Sequence, residues 1–221
     1  MSSTDLVLHV LFEDAYLIAV DKPAGIPVQP DPTDDHSLLE LVQRRSGAGI
    51  GLPHRIDRPV SGVVLFTRTP EALRAVNAAF RDGAVRKTYL AIVEGAPPDE
   101  GECRHVLTHE DGRRKAFVHA EGEGRSAVLR FATRARGDRF ALVEVLPEGG
   151  AFHQIRAQLA AIGHPIKGDV KYGARRGEPD RSIALHAASL AFRHPITNAD
   201  VRITAPDPQR SIWPALLALR G

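Results

Sequence analysis

"PHRIDRPVSGVVLFTRTPEALRAVNAAFRDG", residues 53–83, reads as a loop, a strand and a helix in succession. Asp57 lies between Arg55 and Arg58, and Pro59 and Gly62 follow it, so the carboxylate falls at a turn. The run Val63-Val64-Leu65-Phe66 is short, apolar and rich in β-branching, the pattern of a buried strand. Thr69 then offers an N-cap, Pro70 a first helical position, Glu71 a first-turn acid and Gly83 a stop, which together predict a helix. A carboxylate flanked by two guanidinium groups just before a buried strand is either a structural ion pair or a reacting group.

Working outward, residues 6–12 and 17–20 are apolar or alternating around Glu13-Asp14-Ala15, which predicts a hairpin. "DKPAGIPVQPDPTDD" is too rich in breakers to be anything but a loop. "SLLELVQRR" has helical spacing, with Ser37 and Glu40 placed as a capping box. On the other side, "RKTYLAIVEG" reads as a strand, and "KAFVHA", "SAVLRFATRAR" and "RFALVEVLP" as further strand-like runs between Gly-rich turns. "FHQIRAQLAAIG" has apolar residues at helical spacing and ends in Gly163, a C-cap residue. "IALHAASLAFRHP" is a strand, or a helix followed by a strand, and "SIWPALLAL" a short helix. Strands outnumber helices without strict alternation, so the fold class is α+β, with a mixed, mostly antiparallel central sheet and flanking helices. With no repeat and no low-complexity linker, a single domain over residues 1–221 is expected.

Composition narrows the function classes. The chain has 221 residues, enough for a sizeable core, and a net charge of +2. No stretch is long enough for a membrane span, and the first residues lack a basic n-region and carry Glu13 and Asp14. Cys103 is the single cysteine, which excludes an internal disulfide and a multi-cysteine metal site and makes the cytoplasm the expected compartment. Arginine outnumbers lysine 24 to 5. Codon bias is one explanation. The other is a surface that grips phosphates, for which Arg44-Arg45, Arg55/Arg58, Arg113-Arg114-Lys115 and Arg175-Arg176 are candidate clusters.

Common catalytic signatures are absent: there is no phosphate-binding G-x-x-x-x-G-K-[ST], no G-x-G-x-x-G after a strand, no H-E-x-x-H and no G-x-S-x-G. His105 and His109 stand four apart, a metal-ligand spacing only on a helix, and their neighbours disfavour a helix. The polar residues that remain at joints between apolar elements are Asp57, Tyr89, Arg156, His164 and Asp169. Each alone has a structural reading: Asp57 paired to arginine, Tyr89 half-buried in a strand, Arg156 on a solvated helix face. Together they could form one pocket whose only reacting group is a carboxylate, able to act as base or nucleophile. Spacing does not decide between those.

Five segments resemble the RluA-type RNA pseudouridine synthases. "HRIDRPVSGVVLFTRT" is similar to that family's H-R-L-D-x-x-T-S-G-L-L-L, and "LFEDAYLIAVDKPAGIPVQP" to its opening hairpin and K-P-x-G loop. "RKTYLAIVEG" resembles its K-x-Y-x-A-x-V-x-G strand, "HQIRAQLAAIGHPIKGDVKYG" its H-Q-I-R…G-H-P-I-x-G-D-x-x-Y-G block, and "IALHAASLAFRHP" its L-H-A-x-x-L-x-F-x-H-P ending. The ordered set covers residues 11–195. It implies the pseudouridine synthase catalytic fold, with an active-site cleft across the sheet, and isomerisation of uridine in ribosomal or transfer RNA. It implies no cofactor and no metal. By this resemblance Asp57 is the catalytic nucleophile, Arg156 the arginine that pairs with it and favours its ionised form, and Tyr89 the tyrosine that packs on the uracil and helps remove the C5 proton. Arg55 would support the flipped-out RNA, and His54, Lys22, Gln154 and Leu185 would complete the substrate site. The target uridine must leave its stack, which is least costly in a loop.

The chain departs from the family pattern at two places. Val60 stands where T-S-G has its threonine, and Gly149-Gly150-Ala151-Phe152 replaces T-G-R-T/K, removing a basic residue. The chain begins almost at once with the hairpin, so no N-terminal accessory RNA-binding domain is expected, and a monomer is expected. The alternative from the binding class is a catalytically silent RNA-binding protein or RNA chaperone of the same fold. Metal-dependent hydrolysis through His and Asp is a third reading with little support.

Overall fold

Asp14 closes the first hairpin. Its Oδ1 accepts the backbone N–H groups of Tyr16 (2.8 Å) and Leu17 (2.7 Å), which turns strand β1 (His9–Glu13) back onto β2 (Leu17–Lys22). The computed structural model describes residues 7–33, 35–109 and 115–220. The described residues divide into two compact units, one formed by the chain up to Lys87 with Ala187–Pro206, the other by Thr88–His186 with the chain from Asp207.

In the first unit β2 pairs antiparallel with β3 (Ser61–Thr67), the strand expected from Val63-Phe66 and buried along its whole length. β9 (Leu185–Arg193), which enters this unit at Ala187, follows β3, and β10 (Asp200–Thr204) pairs antiparallel with β9. Both expected helices form. α1 (Leu38–Ser46) carries the Ser37–Glu40 capping box, with Arg44 and Arg45 in its last turn, where cations complement the helix dipole. α2 (Pro70–Arg81) is capped by Thr69, whose Oγ1 accepts the Ala72 N–H at 3.1 Å. Its buried Ala72 and Val76 pack on Leu17, Ala19, Val63, Leu65, Leu190 and Phe192. Gly62 has φ +111°, and a Cβ there would collide with the Ala187 carbonyl, so the start of β3 requires glycine.

In the second unit the strand order is β4 (Arg86–Glu94), β8 (Phe140–Glu148), β7 (Arg125–Arg136), β5 (Glu100–His109), β6 (Ala116–His119), with every pairing in it antiparallel. α3 (Gln154–Ala161) and the short α4 (Trp213–Leu217) complete it. The α+β class and the antiparallel bias expected from the sequence are therefore found, and 183–195 forms a strand from Leu185 rather than a helix.

Two strands were not among the expected elements. β10 is five residues long, and β5 reads "EGECRHVLTH", with Cys103 and Leu107 its only fully buried side chains. Its charges face solvent and hide the alternation, while β6 and β7 pair with it on either side. The same strand disposes of the His105/His109 metal pair: four residues of strand separate them by roughly 13 Å, too far to share one ion. It also explains part of the arginine excess. Arg130 on β7 pairs with Glu102 on β5 and Glu148 on β8, and Arg134 pairs with Glu144 at 2.6 Å. These guanidinium groups lace the sheet. Arg113 and Arg114 lie outside the described residues.

Candidate active site

Asp57 opens a tight turn in the first unit, its carbonyl accepting the Val60 N–H at 3.0 Å, and its side chain is part-exposed. The turn is fastened from behind by Lys22. That side chain is fully buried, and its ammonium donates to the carbonyls of Pro23 (2.9 Å), Ile26 (2.9 Å) and Arg58 (3.0 Å). The K-P loop and the Asp57 loop are thus tied by charge-assisted hydrogen bonds. Arg58 adds a second tie: Nε donates to the Gly25 carbonyl at 2.7 Å, Nη1 to Thr33 at 2.7 Å, and the guanidinium pairs with Asp31 and Asp35. Arg58 is therefore committed to the acidic loop at 31–35. Arg55 is exposed and makes no ion pair among the described residues.

His54, three positions before Asp57, is held by the strand and helix that follow. Its Nε2 accepts the Leu65 N–H at 2.9 Å and its ring stacks on Phe80 at 4.8 Å, so the proton sits on Nδ1. Burial, with the Lys87 charge nearby, pushes its pKa down to about 3.

The second unit holds Tyr89, Gln154, Arg156 and Leu185. Tyr89 is on β4 opposite Val145 of β8, and Leu185 is buried at the start of β9. The helix that carries Arg156 begins two residues later than "FHQIR" suggests, because His153 adopts a left-handed conformation (φ 53°) and α3 starts at Gln154. Gln154 staples this start: its amide nitrogen donates to the Val128 (2.9 Å) and Glu148 (3.2 Å) carbonyls, and its Oε1 accepts the Ala151 N–H (3.2 Å).

Arg156 is not on a solvated face. It is 5% exposed, and its Nε and Nη2 form a fork with Asp169 at 2.7 and 2.9 Å, with Asp169 itself 2% exposed. Sequence reading placed Asp169 at a turn without giving it this role; "G-D-x-x-Y-G" was the available signal. The guanidinium also lies 5.1 Å from the centre of the Tyr172 ring. Tyr172 in turn accepts the Ala116 N–H at 2.7 Å and shares a hydrogen bond with His153 Nδ1 at 2.8 Å. Cation, carboxylate and phenol make a fixed block in which Arg156 has little freedom to move. Among the described residues no cluster of three or more His, Cys, Asp or Glu could hold a metal ion.

Asp57 is thus a part-exposed carboxylate on a braced turn of the first unit, and Arg156 a buried, immobilised cation of the second. The RNA pseudouridylate synthase family model matches residues 16–161, a span that contains Asp57, Tyr89 and Arg156. The chain belongs to that family. It is 33% identical over 224 residues to the ribosomal large subunit pseudouridine synthase D of Zymomonas mobilis, covering 93% of this chain and 71% of that protein. It is 32% identical over 240 residues to the tRNA pseudouridine synthase C of Vibrio vulnificus, covering 96% and 98%. The human RNA pseudouridylate synthase domain containing 1 shares the fold, with a TM-score of 0.79 at 22% identity over 100% of this chain and 89% of that one. As a member of this family the chain is an isomerase that converts uridine to pseudouridine in RNA. No described helix is long and apolar enough to cross a membrane.

Proposed function

We propose that the chain acts on uridine in structured ribosomal or transfer RNA in the cytoplasm, with Asp57 as nucleophile. The relatives at 32–33% identity include enzymes named for each RNA class. The observation that favours catalysis over silent binding is Arg156, whose burial against Asp169 makes a costly, rigid cation that RNA binding alone would not require.

The reaction assigned to these residues balances without a redox partner. The Asp57 carboxylate bonds to the nucleoside, at C1′ of the ribose or C6 of the uracil, and the C1′–N1 bond breaks. The uracil turns, C5 bonds to C1′, the C5 proton leaves and N1 takes up a proton, and the Asp57 carboxylate is released. Substrate and product are isomers. Arg156 favours the ionised carboxylate, Tyr89 flanks the uracil and assists loss of the C5 proton, and Arg55 supports the extruded nucleotide. Lys22, His54 and Gln154 serve this site by holding its loops, and Leu185 supplies apolar wall.

The test uses unmodified ribosomal and transfer RNA carrying tritium at uridine C5. The native protein is expected to release tritium from one of them, and Asp57→Asn to release none. Equal release by both proteins would remove Asp57 from the mechanism. Binding without release by the native protein would favour a silent RNA-binding protein.

A further inference from the structure

We infer that the ring of Phe152, backed by His153 and His109, is a stacking platform for an unpaired nucleobase of the RNA substrate; this rests on the RNA reading above. Phe152 is 38% exposed, yet it is not loose. Its ring stacks on His153 at 3.8 Å with an interplanar angle of 18°, and the His109 ring meets it edge-on at 4.4 Å. His153 is held from below by its bond to the Tyr172 hydroxyl, and Tyr172 by the Ala116 N–H. An aromatic ring fixed in this way loses little conformational freedom when a base settles on it.

The surroundings choose the occupant. Tyr172, the aromatic ring that braces His153, also lies against Arg156 and Lys115, each 5.1 Å from its ring centre. Phe152 is thus linked through two intervening rings, His153 and Tyr172, to the arginine assigned to catalysis. An exposed ring with a cation in the same cluster, here Lys115 over Tyr172, is an arrangement that single-stranded nucleic acid uses, bases stacking while phosphates meet positive charge. A protein partner would need a broad apolar patch, whereas the preceding residues Gly149, Gly150 and Ala151 add little apolar bulk. The departure from the family's T-G-R-T/K pattern therefore exchanges a basic contact for an aromatic one.

Stacking on one aromatic side chain is worth about 1–3 kcal/mol per base, or roughly 5- to 150-fold. Tritium release from the RNA that the native enzyme modifies would be measured for Phe152→Ala, Phe152→Leu and Phe152→Tyr. Alanine and leucine are expected to raise KM about 10- to 100-fold with kcat within about twofold, and tyrosine to keep KM near native. The dependence of RNA affinity on salt should be the same for all, since no phosphate contact is lost. Urea unfolding of each variant separates loss of fold from loss of stacking. An active native enzyme whose KM is unmoved by alanine would overturn the inference, as would full rescue by leucine, which restores apolar bulk without a π face. A native protein that neither binds RNA nor releases tritium from it would sink the RNA reading itself, and the platform with it.

Discussion

His54 is neutral because of where its ring lies. Its Nε2 must stay bare to accept the Leu65 N–H, and Phe80 covers a ring face. A proton on Nε2 would break that bond and put a charge where water reaches poorly, which is why the pKa falls to about 3. An unfolded histidine titrates near ~6.5. Between those values the unfolded chain binds the proton and the folded chain does not, so stability rises with pH across the window and is lost on acidification. The loss is at most about 1.4 kcal/mol per pH unit. Urea unfolding at pH 7 and pH 5 should therefore show the native protein losing about 1–2 kcal/mol more than His54→Gln, which keeps an acceptor but does not titrate. Equal losses in the two proteins would mean that His54 carries none of the acid sensitivity. The prediction concerns stability alone, so it can be read without knowing the RNA.

At the scale of the element, α3 depends on an ion pair that its own sequence does not display. Arg156 is fixed by Asp169, which lies beyond the end of the helix in the turn before the 3₁₀ segment Val170–Tyr172. Asp169→Asn is expected to cost about 3–5 kcal/mol, because a buried guanidinium loses its counter-charge. The double variant Arg156→Met/Asp169→Leu should recover stability to within about 1–2 kcal/mol of native, as apolar replacements of buried pairs often do, but not turnover. Turnover in that double variant, measured by tritium release, would remove the pair from catalysis. Elements defined by local signals were legible from sequence: the capping box of α1, the Thr69-Pro70 start of α2 and the β-branched run of β3 all stand as read. What escaped depended on distant partners. β5 is made a strand by its neighbours, Arg156 is held by a residue 13 positions away, and the left-handed His153 by Tyr172, 19 positions away.

At the scale of the whole molecule, the candidate site could be named only through five segments taken in order. Asp57, Tyr89 and Arg156 each have a structural reading, and no spacing between them is itself a motif. The arginine excess was legible as composition but not as use. Arg45 and Arg68 pair with Glu13, Arg58 with Asp31 and Asp35, Arg104 and Arg130 with Glu102, Arg134 with Glu144 and Arg136 with Asp99. Each pair is worth little as an exposed contact, but it occupies a group that would otherwise meet a phosphate. The grip on RNA should then come from fewer cations than the count of 24 arginines suggests. RNA affinity measured between about 50 and 200 mM salt should fall linearly on logarithmic axes with a slope of about −2 to −4, equivalent to about three to six phosphate contacts. Arg55→Gln should make the slope shallower by about 0.7 and weaken all RNAs alike, since Arg55 is exposed and carries no ion pair among the described residues. Arg130→Gln should leave the slope unchanged, its guanidinium being held by Glu102 and Glu148. Equal changes in both variants would show that the sheet's ion pairs open to RNA, and that the arginines act as one undivided surface.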